Sequence, residues 1–181
     1  MSDQVFTNAQ VVTPDRVLNG TVQVRDGLIN DVAEGPTGVP SAIDMEGDYL
    51  LPGFVELHTD NLEKHFAPRP GVVWPRVPAA LAHDAQIASA GITTVFDALA
   101  VGDLNENSGR LQNLANMSSA VREAGERKLL RADHLIHLRC EVSHSKAVEI
   151  FGDYVDTANV RLVSLMDHTP GQRQFTCMDT Y

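Results

Sequence analysis

Apolar and polar positions change rhythm along the chain. Over the first fifty residues the period is two. Val5 to Val12 reads as a strand, Thr21 to Arg25 alternates apolar and polar side chains, and Leu28 to Ala33 returns after Asp26-Gly27. Alternation on both sides of an Asp-Gly pair predicts a β-hairpin closed by a tight turn. Gly35-Pro36, Gly38 and Pro40 then interrupt the pattern.

From Leu50 the rhythm alternates between strand and helix. Leu50 to Asp60 is an apolar strand that ends in polar residues, and Pro68, Pro70, Gly71, Pro75 and Pro78 mark the loops after it. Ala79 to Ala90 is Ala-rich and helical, stopped by Gly91. Ile92 to Ala98 is β-branched. Asn107 to Leu130 places Leu111, Leu114, Met117, Val121 and Ala124 three to four residues apart, the spacing of an amphipathic helix. His134 to Val142 predicts a strand, Ser145 to Val155 a helix, and Val160 to His168 a strand. Strands alternating with helices in this order predict a parallel sheet with helical crossovers. A closed (β/α)8 barrel needs about 250 residues, and only four such strands are present. The pattern fits a small open α/β sheet or the front half of a longer barrel.

Composition narrows the function classes. The 181 residues are 43% hydrophobic and 21% charged, which excludes wholesale disorder. A net charge of −10 disfavours a general nucleic-acid binder, because it repels a phosphate backbone at long range. A small anionic substrate stays possible, since a metal ion or an Arg cluster reverses the field inside one cleft. Cys140 and Cys177 are too few and too far apart for a disulfide scaffold or a CxxC site. There is no secretory n-region and no apolar run of about 18 residues. The expectation is a reduced, cytoplasmic protein with no membrane partner. No GxGxxG, Walker lysine loop or serine-nucleophile elbow occurs.

Candidate chemistry collects at the C-terminal ends of the predicted strands, where parallel α/β folds build their sites. Glu56, His58 and Asp60 alternate onto one face of the first strand. An imidazole and a carboxylate two residues apart can chelate a divalent cation; equally, they can be a satisfied polar pair. His137, Arg139 and Glu141 share a face of another strand, leaving Leu138 and Cys140 for the helices. Taken alone, that cluster fits an internal Arg139–Glu141 salt bridge as well as it fits a site. His168 ends the last strand, before Pro170-Gly171-Gln172-Arg173. Three of four strands ending in His or carboxylate groups point to a shared polar centre. Arg69, Arg139, Arg173 and Lys64 lie on or after the same ends. Arg favours bidentate carboxylate or phosphate partners, so a phosphorylated substrate is expected.

Leu51-Pro52-Gly53-Phe54-Val55-Glu56-Leu57-His58-Thr59-Asp60 resembles the first barrel strand of the amidohydrolase superfamily, with Asp60 where that strand usually has a second His. Asn61-Leu62-Glu63-Lys64, Pro68-Arg69-Pro70-Gly71, Trp74-Pro75, Gly91-Ile92-Thr93-Thr94-Val95, His137 to Glu141, and Leu162 to Phe175 resemble the diphosphatases of phosphonate catabolism in the carbon–phosphorus lyase pathway. The resemblance implies the N-terminal half of a (β/α)8 barrel, residues 50–181, preceded by a small β-sandwich segment, residues 1–49. It implies hydrolysis of a ribose methylphosphonate triphosphate to the 5-phosphate and diphosphate. It also implies divalent ions (Zn, Mn or Mg), two in the complete enzyme. His58 and Asp60 would hold one ion, Glu141 would bridge, and His168 would hold the second. Arg69, Arg139, Arg173 and Lys64 would contact phosphate. Later strands would supply a further His and an Asp general base, so the chain alone is expected to be incomplete for catalysis. It is expected to associate with a second copy or a complementary C-terminal segment. Two competing readings are a related hydrolase of C–N bonds, such as a sugar-phosphate deacetylase, and a non-catalytic fragment. The Arg-bearing loops favour the diphosphatase over the former.

Overall fold

A computed structural model describes residues 3–103, 110–157 and 159–171, with Arg110 described by its backbone alone. The chain divides into two compact units, residues 1–52 and 53–181.

The first unit is a five-stranded sheet. Strands β1 (Asp3–Val12), β2 (Val17–Arg25) and β3 (Leu28–Glu34) run antiparallel, and the short β4 (Ile43–Asp44) and β5 (Tyr49–Leu50) pair parallel with β1. Asp26 (φ 51°) and Gly27 (φ 79°) both occupy the left-handed region. That is a type I′ hairpin turn, whose twist matches the strands it joins. Ala9, Val11 and Val22 form the small core, with Leu18, Val24, Met45 and Leu50 against them.

The second unit realises the alternating pattern. It runs β6 (Phe54–Thr59), α1 (Asn61–Phe66), α2 (Arg76–Ser89), β7 (Ile92–Val101), α3 (Arg110–Glu126), β8 (Asp133–Glu141), α4 (Ala147–Tyr154) and β9 (Val160–Met166). The four strands are parallel, in the order β6-β7-β8-β9. The beginning of the predicted Asn107–Leu130 helix lies outside the described residues. Leu99 and Val101 of β7 and Ile136, Leu138 and Cys140 of β8 share one buried cluster with Leu62 and Phe66 of α1, Ala79 and Ala80 of α2, and Leu114, Met117 and Val121 of α3. Burying each larger apolar side chain contributes about 1.5–3 kcal/mol, which is why this face recruits the helices. The buried Leu138 and Cys140 hold the helix side, as their alternation with Arg139 predicts. Gly53 permits the close start of β6, because a Cβ there would lie 2.1 Å from Thr93 Cγ2.

Helix α1 was not predicted; the loop residues after Asp60 hide it. Its signal is the i, i+4 pair Leu62 and Phe66, both about 1% exposed. Pro78 lies in the first turn of α2, where a missing N–H costs nothing, so that helix begins earlier than Ala79. No helix among the described residues is long and apolar enough to cross a membrane.

Candidate active site

Parallel register sets which side chains meet. His137 pairs with Ala98 and Leu162, Arg139 with Ala100 and Ser164, and Glu141 with Met166. These residues line the face opposite the helices. On this face β7 presents only methyl groups, Ala98 and Ala100, toward the strand ends. Side chains of β8 therefore reach over β7 to β6. Arg139 forms an ion pair with Asp60. The His137 and His58 rings lie 5.2 Å apart, edge to face at 76°. Nε2 of His58 is 3.7 Å from Oδ2 of Asp60. Asp60 sits at the N-cap of α1, yet its side chain makes no capping bond; it is spent on Arg139 instead.

Glu141 and His168 form a second pair. Nδ1 of His168 lies 2.6 Å from Oε2 of Glu141, while the His168 amide (3.1 Å) and the Ser143 hydroxyl (2.8 Å) donate to Oε1. Burial pushes the Glu141 carboxyl up, but the bonds from His168 and Ser143 outweigh it and hold the group below its ordinary range. With Nδ1 engaged by the carboxylate, Nε2 is the nitrogen His168 has left to offer. His137 is held below the ordinary imidazole range, first by burial and then by His58 and Arg139.

The remaining candidates are more dispersed. Lys64 is exposed on α1 and donates to Asn61 Oδ1 at 3.0 Å. Arg69 is exposed and opens a turn that closes with Val72 N–H to Arg69 O at 3.1 Å, with Gly71 at φ 75°. Arg173 lies outside the described residues, as does Cys177. Glu56 accepts the His58 amide at 3.0 Å, and the β6–β7 register shifts between Glu56 and Thr59. The simple alternation expected to align Glu56 with His58 is interrupted there. His58, Asp60, Glu141 and His168 stand as two imidazole–carboxylate pairs. Among the described residues, the group of three or more such side chains with ligand atoms within 4.8 Å is His83, Asp97 and His134.

That group faces the helices and was missed in the sequence. His83 Nε2 and His134 Nδ1 each lie 2.7 Å from a different oxygen of Asp97. His134 Nε2 is 3.4 Å from Asp84 Oδ1, which accepts the amides of Arg131 and Ala132, while Arg131 Nη1 reaches Asp84 Oδ2 at 3.0 Å. All four of His83, Asp84, Asp97 and His134 are buried. The donor types suit a cation. The two imidazoles, however, straddle the carboxylate, as they do in a hydrogen-bonded chain. Burial opposes charge on both groups, yet the bonds from His134 and His83 hold Asp97 below its ordinary range, and Asp97 and Asp84 raise His134. A legible signal existed: an unpaired Asp97 inside a β-branched strand demands a buried partner.

The chain is 46% identical, over 177 residues and 98% of its length, to the alpha-D-ribose 1-methylphosphonate 5-triphosphate diphosphatase of Escherichia coli. The chain is homologous to that diphosphatase. It spans about half the length of this curated relative, 47%. A 50-residue stretch is 38% identical to an uncharacterized protein of Mycobacterium tuberculosis, of which it covers 8%. No family model matches the chain. Among solved structures, N-isopropylammelide isopropylaminohydrolase from Burkholderia multivorans superposes with a TM-score of 0.56 at 15% identity, over 90% of this chain and 44% of that one. Dihydropyrimidinase from Brevibacillus agri gives 0.53 at 18% identity, over 90% and 32%. These likenesses give the fold alone: the chain shares the partial α/β architecture of these two structures.

Proposed function

We propose that the chain carries the metal- and phosphate-binding half of a phosphoanhydride hydrolase that releases diphosphate from a ribose methylphosphonate triphosphate. The observation that carries this reading is the 46% identity to a diphosphatase across 98% of the chain. The two imidazole–carboxylate pairs on one face support it, since imidazole and carboxylate together suit Zn, Mn or Mg. His58 and Asp60 would hold one ion; Glu141 and His168 would hold the second, with Glu141 bridging. A divalent ion bound there would supply a water with a pKa near 7 and charge compensation on phosphoryl oxygens.

The chain's own residues do the rest. Arg139 neutralises and orients Asp60. Glu141 fixes the tautomer and direction of His168. Arg69, Lys64 and Arg173 meet the anionic tail of the substrate, where Arg forks match phosphate oxygens. A further His and an Asp general base would come from later strands of a longer protein or from a complementary segment, and the compartment would be the cytoplasm. Assaying diphosphate release by the complete protein with the ribose triphosphate tests this. Asp60→Asn is expected to lower kcat/KM at least about 100-fold, the scale of losing an electrostatic group at a reacting centre. Absence of diphosphate release by the complete wild-type protein with Zn, Mn and Mg each supplied overturns the reading.

A further inference from the structure

We propose that His137, through Ser164, is a positioning residue that sets His58 for metal binding; this rests on the reading of His58 and Asp60 as metal-binding. His137 is 5% exposed and faces the site rather than the helices. Its Nε2 is 2.8 Å from Ser164 Oγ on β9, and its ring abuts that of His58 on β6. From β8 the imidazole therefore ties neighbouring β9 to β6 across one intervening strand, where its register partner is Ala98. His58 is half exposed, and among the described residues its ring meets the His137 edge on one side and Asp60 Oδ2 at 3.7 Å, so His137 helps fix its ring plane. Ser164 in turn fixes the His137 ring, because a hydroxyl donates or accepts according to the tautomer. Its other nitrogen, Nδ1, is buried without a well-aligned hydrogen bond among the described residues, while the Leu57 backbone of β6 interacts with the ring. A buried imidazole with one poorly satisfied nitrogen costs stability, and here the ring meets β6 at both Leu57 and His58. Groups that orient a metal-binding imidazole change affinity without touching the metal, by about 10–100-fold.

The test is Mn and Zn titration of the complete protein by calorimetry, with metal-free thermal melts beside it. His137→Phe keeps the ring and loses the bond to Ser164; Ser164→Ala loses the same bond from the other side. Each is expected to raise the metal Kd about tenfold. The double variant should be no weaker than either single one, because both break one linkage. His137→Gln, whose amide can reach Ser164 but which has no ring edge to set against His58, is expected to bind as weakly as His137→Phe. Metal-free melting should move little in Ser164→Ala, which carries the test if His137→Phe does not fold. His58→Ala is the control that separates the two ideas. If His58→Ala removes one bound ion while Ser164→Ala and His137→Phe bind as wild type, the positioning role is overturned and the metal reading stands. If His58→Ala and Asp60→Ala bind metal as wild type, both fall.

Discussion

Asp97 shows most sharply how one side chain sets local stability. Both its oxygens are taken by imidazoles in a dry environment, so removing the carboxylate strands an imidazolium. Asp97→Asn is expected to cost about 3–5 kcal/mol, the scale of breaking a buried ion pair from one side, read by chemical denaturation. The pH dependence follows from the two shifts. The Asp97 carboxyl is depressed, so its contribution is complete above the ordinary 3.8 and fades as pH falls toward the folded value. The His134 imidazole is raised, so its contribution is complete below the ordinary 6.5 and fades as pH rises through the folded value. The wild-type advantage over Asp97→Asn should therefore peak between those two values; a difference that keeps growing above pH 8 would contradict it. Sequence could flag Asp97 as an anomaly but could not name its partners. His83 and His134 are 14 and 37 residues away, and only the packing of α2 on β7 and β8 brings them together.

At the scale of elements, β7 controls the site while adding no chemistry to it. Its Ala98 and Ala100 leave a trough over which Arg139 reaches Asp60. Ala100→Leu would fill that trough, cost about 1–3 kcal/mol in overpacking, and part the two charges. The expected result is a lower melting temperature together with weaker metal binding at His58 and Asp60, followed by titration. Strand order and strand ends were legible because period-two alternation and helical spacing are local signals. The reach of Arg139 was not. Alternation placed Arg139 and Glu141 on one face and suggested that they pair with each other. Instead each finds a partner from another strand end, Asp60 and His168, because neighbours two apart on one strand point the same way without closing on each other. The bulge in β6 and the short helix α1 escaped for a similar reason, since both are set by how the chain turns after His58.

For the molecule as a whole, the edges matter most. Among the described residues, strands β6 and β9 each have one unpaired side, and apolar side chains stand exposed on them: Leu57 at 58%, Val163 at 42% and Leu165 at 77%. Val163 and Leu165 also line an apolar groove of about 440 Å³ with Phe151 and Val148 of α4. Unpaired edges beside exposed apolar surface favour association. Light scattering is expected to show a mass above 19.7 kDa that rises with concentration, and Leu165→Lys is expected to return the chain toward monomer; a monomer at all concentrations would refute this. The alanine trough has a practical meaning as well. Position 98 is nearly buried beside the His137 imidazole and carries only a methyl group, so a cysteine placed there, with Cys140 and Cys177 replaced by alanine, would put one small thiol on the polar face. The rate at which a small thiol reagent reaches it would report occupancy of the site, before any added bulk fills the trough.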